Sequence, residues 1–233
     1  MVDLTSEMAG LLAALGPAPS YRGRVIQFVS AAAGEGVSTV SREFARLAAV
    51  RARKPVWLVD ADLDQQGQQE AIASQEARFG RLGQAATASP DGQVFYAVSP
   101  QLLARDGSAI SPSRLLTARP CLGTRLWVTR FRMESLRSGQ RAEVLPDAHY
   151  WDAMRKHADT VVVDSPSADR SDVAITLAPY VDATIIVVAA ESTAANEPVI
   201  LRDEIEAVGG RIAGVVVNRS RYKAPGFLRR LTG

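Results

Sequence analysis

Short apolar runs alternate along the chain with segments whose apolar residues recur at helical spacing. Arg24 to Val29 reads as a strand, and it feeds a helix from about Ser38 to Arg53 in which Phe44, Leu47 and Ala48 share one face. Pro55 opens a second apolar run, within Lys54 to Asp64, that ends in acids; Thr160 to Val163 is another, ending at Asp164. Asp172 to Ala178 predicts a helix and Ala183 to Ala189 a strand. Glu197 to Val208 predicts a helix closed by Gly209 and Gly210, and Ile212 to Val217 is the last strong strand. Short β-branched runs of this kind are buried parallel strands, because a strand covered on both faces has no reason to alternate apolar with polar residues. Strands that alternate with helices require crossovers on both faces. The expected fold is therefore α/β: a doubly wound, mostly parallel sheet with helices on both faces.

Between Gln65 and Tyr150 the pattern is weaker. Gln93 to Val98 and Arg125 to Phe131 read as strands, and Gly107 to Pro120 carries turn residues. Trp127 and Phe131 interleave with Arg125, Arg130 and Arg132. That is either a basic aromatic surface for a partner or a nucleic-acid strand, or an amphipathic edge strand with its arginines outward, and the second reading fits better. Asp147 to His157 predicts a helix with Trp151 and Met154 inward. Near the N-terminus, Met8 to Leu15 reads as a short helix stopped by Gly16 and Pro17, too short to cross a bilayer and expected to pack on its own domain.

A chain of 233 residues with 47% hydrophobic content can bury one substantial core, and no Pro/Gly/Ser-rich linker divides it. The expected organisation is an N-terminal helix and linker over 1–23, a single α/β domain over 24–218 and a basic tail over 219–233. A net charge of +2 argues against a dedicated nucleic-acid binder, so none is expected as a partner, while a pI of about 8.9 permits contact with an acidic surface. One cysteine, Cys121, excludes an intramolecular disulfide framework and points to a reducing cytoplasm. His149 and His157 are too few for a histidine-rich zinc site. In the tail, Phe227 to Leu231 has the makings of one amphipathic turn against anionic lipid; a solvated end is the other reading.

The candidate chemistry lies at the strand ends. Val25 to Thr39 has the outline of a phosphate-binding strand, loop and helix, in which Gly34 and Gly36 let backbone N–H groups curl round an anion and Ser38 can reach Mg²⁺. Val37 stands where that chemistry wants a lysine. A valine leaves the helix N-terminus and its amides, which still favour an anion, but removes the charge that would steady phosphoryl transfer. Asp60, Asp62 and Asp164 end apolar runs and are expected to gather beside the loop, since open α/β sheets place ligands at the carboxyl ends of their strands. Carboxylates brought together call for a cation, so a Mg²⁺ site is one reading. The other is that each aspartate caps the segment after it.

The order Ser-Ala-x-x-Gly-Glu-Gly-x-Ser-Thr, then Leu-Val-Asp-Ala-Asp-Leu, then Val-Val-Asp-Ser-Pro resembles the cytoplasmic domain of bacterial tyrosine kinases. These belong to the deviant-Walker P-loop group that also holds the ParA and MinD ATPases. The resemblance runs from about Arg24 to Asn218 and is faint between Gln65 and Tyr150. It implies a Walker A loop over Gly34, Glu35, Gly36, Val37, Ser38 and Thr39, with Ser38 on Mg²⁺ and Thr39 near the α-phosphate. Asp60 and Asp62 correspond to the family's additional acidic motif, for Mg²⁺ and for activating a tyrosine hydroxyl, and Asp164 to the Walker B acid. Asn218 falls where the family places a residue near adenine, or is simply a polar strand end. The implied cofactors are ATP or ADP with Mg²⁺, with Asp62 and Asp164 catalytic and Ser38, Asp60 and Asp164 on the metal.

The resemblance also implies a membrane polysaccharide co-polymerase as partner and a cytoplasmic domain recruited to the inner membrane. The departures define the role. Val37 replaces the lysine, and Ala31 and Ala32 leave no place for the second signature lysine of the ParA and MinD branch. Glu7 is followed by Gly10 and Ala13 where the family carries ring-forming arginines, so any homo-oligomer would use another interface. The tail offers only Tyr222 in place of a tyrosine cluster. The resulting expectation is a degenerate kinase-like protein with absent or weak phosphotransfer. Arg170 and Arg221 are either substitute cations for an active ATPase or autokinase or solvated surface arginines, and the second reading fits better; a surface-cycling regulator like ParA or MinD is a further alternative.

Overall fold

The computed structural model describes residues 3–101, 103, 107–190 and 196–219. In chain order the helices and strands are α1 (Thr5–Leu15), β1 (Arg24–Val29), α2 (Val37–Arg51), β2 (Val56–Asp60), α3 (Gln68–Ala73), α4 (Glu76–Phe79), β3 (Ala86–Thr87), β4 (Tyr96–Ser99), β5 (Leu116–Pro120), β6 (Leu126–Phe131), β7 (Arg141–Val144), α5 (His149–His157), β8 (Thr160–Asp164), α6 (Val173–Leu177), β9 (Ala183–Ala189), α7 (Glu197–Ala207) and β10 (Ile212–Asn218).

Eight strands form one sheet in the order β10-β9-β1-β8-β2-β6-β5-β3, and β4 pairs with β7 in a separate antiparallel ribbon. From β10 to β6 every pairing is parallel; β5 and β3 add an antiparallel margin. The fold is the doubly wound α/β architecture that the sequence pattern predicts. Along β1, Ile26 and Phe28 pack with Met8, Leu12 and Phe44 on the α1 and α2 side. Val25 packs with Trp151 and Met154 of α5 on the other side, and Val29 with Leu201 and Ile205 of α7. The chain leaves β1 toward β2 on one side and returns through β8 to β9 on the other. The carboxyl ends of β1 and β8 therefore border the crevice where the strand order reverses.

The short N-terminal helix packs on its own domain, with Met8 and Leu12 buried against α2. The middle region departs from expectation in three places. The turn-rich stretch Gly107 to Pro120 contains β5, which pairs antiparallel with β6 from Leu116–Phe131 to Pro120–Trp127. The strand read at Gln93 to Val98 is displaced to Tyr96–Ser99, because its partner is the unrecognised β7 rather than the main sheet. Finally, β6 is an interior strand between β2 and β5 and not an edge. Its Leu126, Val128 and Phe131 are buried, Trp127 stacks on Trp57 with ring centroids 5.4 Å apart, and Arg130 points outward to Glu134 at 3.0 Å. No helix among the described residues is long and apolar enough to cross a membrane. The tail residues Tyr222, Arg221 and Phe227 to Leu231 lie outside the described residues.

Candidate functional site

The loop from Ser30 to Gly36 joins β1 to α2 and is held from three directions. The Glu35 carboxylate accepts the Ala32 N–H and the Ala189 N–H at 3.2 Å each, which ties the loop to the end of β9. Asp169 accepts the Ala33 N–H at 3.1 Å. Asn218, the last residue of β10, donates its Nδ2 to the Glu35 carbonyl at 2.8 Å. Gly34 (φ 82°) and Gly36 (φ 97°) occupy the left-handed region, and a Cβ on Gly36 would also collide with Asn218 Nδ2. The amides of Gly36, Val37 and Ser38 meet no acceptor among the described residues. Bare N–H groups at the start of a 15-residue helix make an anion cradle from backbone alone.

Val37 contributes only its amide there. Its side chain is buried in the apolar cluster beneath α1 and α2, so the position has been taken into the core.

Asp60 and Asp164 stand opposite one another in the β2–β8 register, both buried. Burial pushes the Asp60 carboxyl well above the usual carboxylate range, and the neighbouring Asp164 adds to the shift. Asp164 is also raised by burial, against the opposing hydrogen bonds from Gln68, Ser38 and Ser41 and the charge of Arg42. One Asp164 oxygen accepts Gln68 Nε2 at 2.6 Å, while its Oδ1 is buried without a partner. Asp60 Oδ2 accepts the N–H groups of Gly67 and Gln68 at 3.2 Å each and so caps α3. The capping reading of Asp60 therefore describes its contacts, and the same side chain also faces Asp164 across the β2–β8 register.

The expected gathering of all three acids is incomplete. Asp62 lines the same cleft, but its oxygens are spent on the Asp64 and Gln65 amides, at 3.3 and 2.9 Å, and on Arg170 Nη2 at 2.9 Å. No set of three acidic, histidine or cysteine side chains among the described residues lies close enough to share a metal. The residues that fit Mg²⁺ are a smaller set. The orphan Asp164 Oδ1, its strand neighbour Asp60 and the Ser38 hydroxyl on the Asp164 side are hard oxygen donors, and water and phosphate oxygens can complete such a shell.

Three polar participants carry no motif. Gln68, fully buried, donates to Asp164, to the Ser38 carbonyl at 2.9 Å and to Ser41 Oγ at 3.3 Å, and its Oε1 accepts Arg42 Nη1 at 2.9 Å. Arg42 is a buried guanidinium behind the acid pair; its place four residues after Ser38, on the same helix face, was the available signal. Arg219 lines the mouth of the cleft, a cavity of about 270 Å³ bounded by the loop and the acids. Arg170 lines it too, while Arg221 lies outside the described residues.

No family model and no curated relative matches the sequence. Solved structures do share the fold. The kinase domain of the Escherichia coli tyrosine kinase ETK aligns with a TM-score of 0.59 at 15% identity, over 95% of this chain and 75% of that one. The kinase domain of VpsO aligns with a TM-score of 0.56 at 20% identity, over 85% and 86%. A nucleotide-binding protein from Archaeoglobus fulgidus in complex with ADP aligns with a TM-score of 0.51 at 17% identity, over 87% and 69%. The chain therefore has the P-loop fold of bacterial tyrosine-kinase domains, with a glycine loop whose last amides meet no acceptor among the described residues and a buried pair of sheet-end acids at the crevice of its sheet.

Proposed function

We propose that this protein is a tyrosine-kinase-like P-loop protein that binds ADP or ATP with Mg²⁺ but transfers phosphate slowly or not at all. In this reading it supports exopolysaccharide synthesis or export through a membrane polysaccharide co-polymerase. One observation carries the reading: a cradle of unpaired amides at Gly36, Val37 and Ser38 stands beside Asp60 and Asp164, while residue 37 places an apolar side chain in the core. The cradle favours a phosphate and the acid pair a divalent cation, so ground-state binding keeps its determinants. Transfer asks for charge that follows the moving phosphoryl group, and Val37 offers none.

In the proposed site Gly34, Glu35 and Gly36 shape the loop, Ser38, Asp60 and Asp164 hold Mg²⁺, Thr39 lies by the α-phosphate and Asn218 borders the adenine. Asp62 and Asp164 are the residues for any residual chemistry. The protein works in the cytoplasm and reaches the inner membrane through its partner, aided by the basic tail over 219–233.

Two measurements test this. Calorimetric titration with ADP and Mg²⁺ is expected to show binding, and phosphate release from Mg-ATP to stay near background. Rapid release, abolished in Asp164→Ala, would overturn the slow-transfer reading. In cells, deletion of the gene is expected to reduce exopolysaccharide, with an Asp164→Ala copy restoring it. Restoration by wild type alone would make the role depend on the metal-bound nucleotide, and the phosphate-release assay then decides between binding and turnover.

A further inference from the structure

The cleft holds two arginines, and they differ in their freedom. Arg170 is tied to Asp62 at 2.9 Å. Arg219 enters no ion pair among the described residues, although it lines the same cavity as the loop amides. Its backbone is also unusual. Arg219 has φ 56°, in the left-handed region that the Cβ of an arginine disfavours, and Asp91 is the other non-glycine residue among those described that shares this geometry.

The cause is local. The Arg219 N–H donates to Asn218 Oδ1 at 2.9 Å, while Asn218 Nδ2 is bound to the Glu35 carbonyl and the Asn218 carbonyl accepts the Ala190 N–H at 2.9 Å. Asn218 is thereby fixed on both its side chain and its backbone, and it turns the chain at residue 219 out of the line of β10. An arginine emerging from that turn stands at the mouth of a cleft whose floor is bare amides and whose wall is two buried acids. A planar guanidinium with several donors suits a phosphate there, and it neutralises charge that the amides alone leave exposed.

We propose that Arg219 supplies, from the end of β10, the cation that residue 37 lacks, holding the terminal phosphates of a bound nucleoside di- or triphosphate. This rests on the nucleotide-binding reading and assigns to it a positioning residue on a different element from the loop. The cation approaches from the strand end and not from within the helix. Arg219 holds the bound phosphates in place, and phosphoryl transfer gains no group fixed in the loop.

The test uses the full chain, with ADP and inorganic pyrophosphate as separate probes in Mg²⁺. Arg219→Ala is expected to weaken both about tenfold or more at an unchanged melting temperature, and Arg219→Lys to restore part of each loss. Arg170→Ala is expected to weaken them by less than about threefold. A variant that binds ADP as wild type does would overturn the assignment and leave nucleotide binding intact. Loss of ADP with unaltered pyrophosphate binding would also overturn it, by moving Arg219 to the adenine side. Wild-type protein that binds neither probe would overturn both this inference and the nucleotide reading beneath it.

Discussion

At the residue scale, position 37 carries most of the meaning. Lysine and valine differ there in more than charge, because the first turn of α2 points residue 37 partly into the sheet-facing core, where Val37 packs in the same cluster as Phe28 and Phe44. An apolar side chain that is buried contributes packing, and only its amide serves the loop. Val37→Ala removes two methyl groups' worth of burial and is expected to cost about 1.5 kcal/mol, read by urea denaturation. The same variant is expected to bind ADP with unaltered affinity, because the N–H remains; a parallel loss of affinity would show that the side chain shapes the cradle. Gly36 is the opposite case. Its left-handed backbone and its approach to Asn218 leave no room for any side chain, so Gly36→Ala is expected to abolish ADP binding in the same titration.

At the scale of elements, a charged brace joins α1, α2 and α4 behind the loop. Glu43 of α2 accepts two hydrogen bonds from Arg78 of α4, each 2.7 Å, and one from Arg46 at 2.9 Å; Arg46 in turn reaches Thr5 Oγ1 of α1 at 2.9 Å. Burial alone would raise the Glu43 carboxyl, but the hydrogen bonds and charges of Arg78 and Arg46 outweigh it and hold the group below its usual range. A carboxylate depressed in the folded state stabilises above its unfolded pKa, and that contribution fades as pH falls through the lowered folded value. Arg78→Ala is expected to cost about 2 kcal/mol at neutral pH, with the difference from wild type shrinking in strong acid, as denaturant midpoints across pH would record. A constant difference at all pH would reduce the brace to packing.

Why some elements were legible follows from the same contacts. The strands β1, β2, β8 and β9 are apolar runs because both of their faces are covered, so the acids that end β2 and β8 stand out in the sequence; β10 lies at the sheet edge with Val215 and Val217 exposed, and its valine run was legible all the same. By contrast β5 reads Leu-Thr-Ala-Arg-Pro and β7 reads Arg-Ala-Glu-Val, and they lie at the margin or in a separate ribbon, where one face is open and no run is required. Gln68 was illegible for another reason: its bond to Asp164 spans 96 residues, and only the packing of α3 over the strand ends creates it.

At the scale of the whole molecule, the two ends of the sheet are electrically unlike. The amino ends border a larger cavity of about 630 Å³ lined by Arg51, Arg53 and Lys54, cations that suit the carboxyl end of α2. The carboxyl ends gather the buried acids, whose burial and proximity raise both carboxyls and cost the fold stability that Arg42 offsets only in part, on the Asp164 side. Binding at the carboxyl ends therefore has a global readout, because any ligand that prefers the folded state raises the melting temperature by mass action. With ADP and Mg²⁺ at one hundred times the dissociation constant, the expected stabilisation is about 2.7 kcal/mol, or roughly 5–10 °C for a chain of this size. Asp164→Asn keeps an acceptor for Gln68 while removing the charge that a divalent cation seeks. It is expected to abolish the extra shift that Mg²⁺ adds to ADP while retaining the shift from ADP alone, since the loop amides do not depend on the acid. Scanning calorimetry on both proteins, with EDTA and with Mg²⁺, separates the two contributions. A Mg²⁺-dependent increment that survives in Asp164→Asn would place the cation away from the β8 strand end and remove the acid pair from the site.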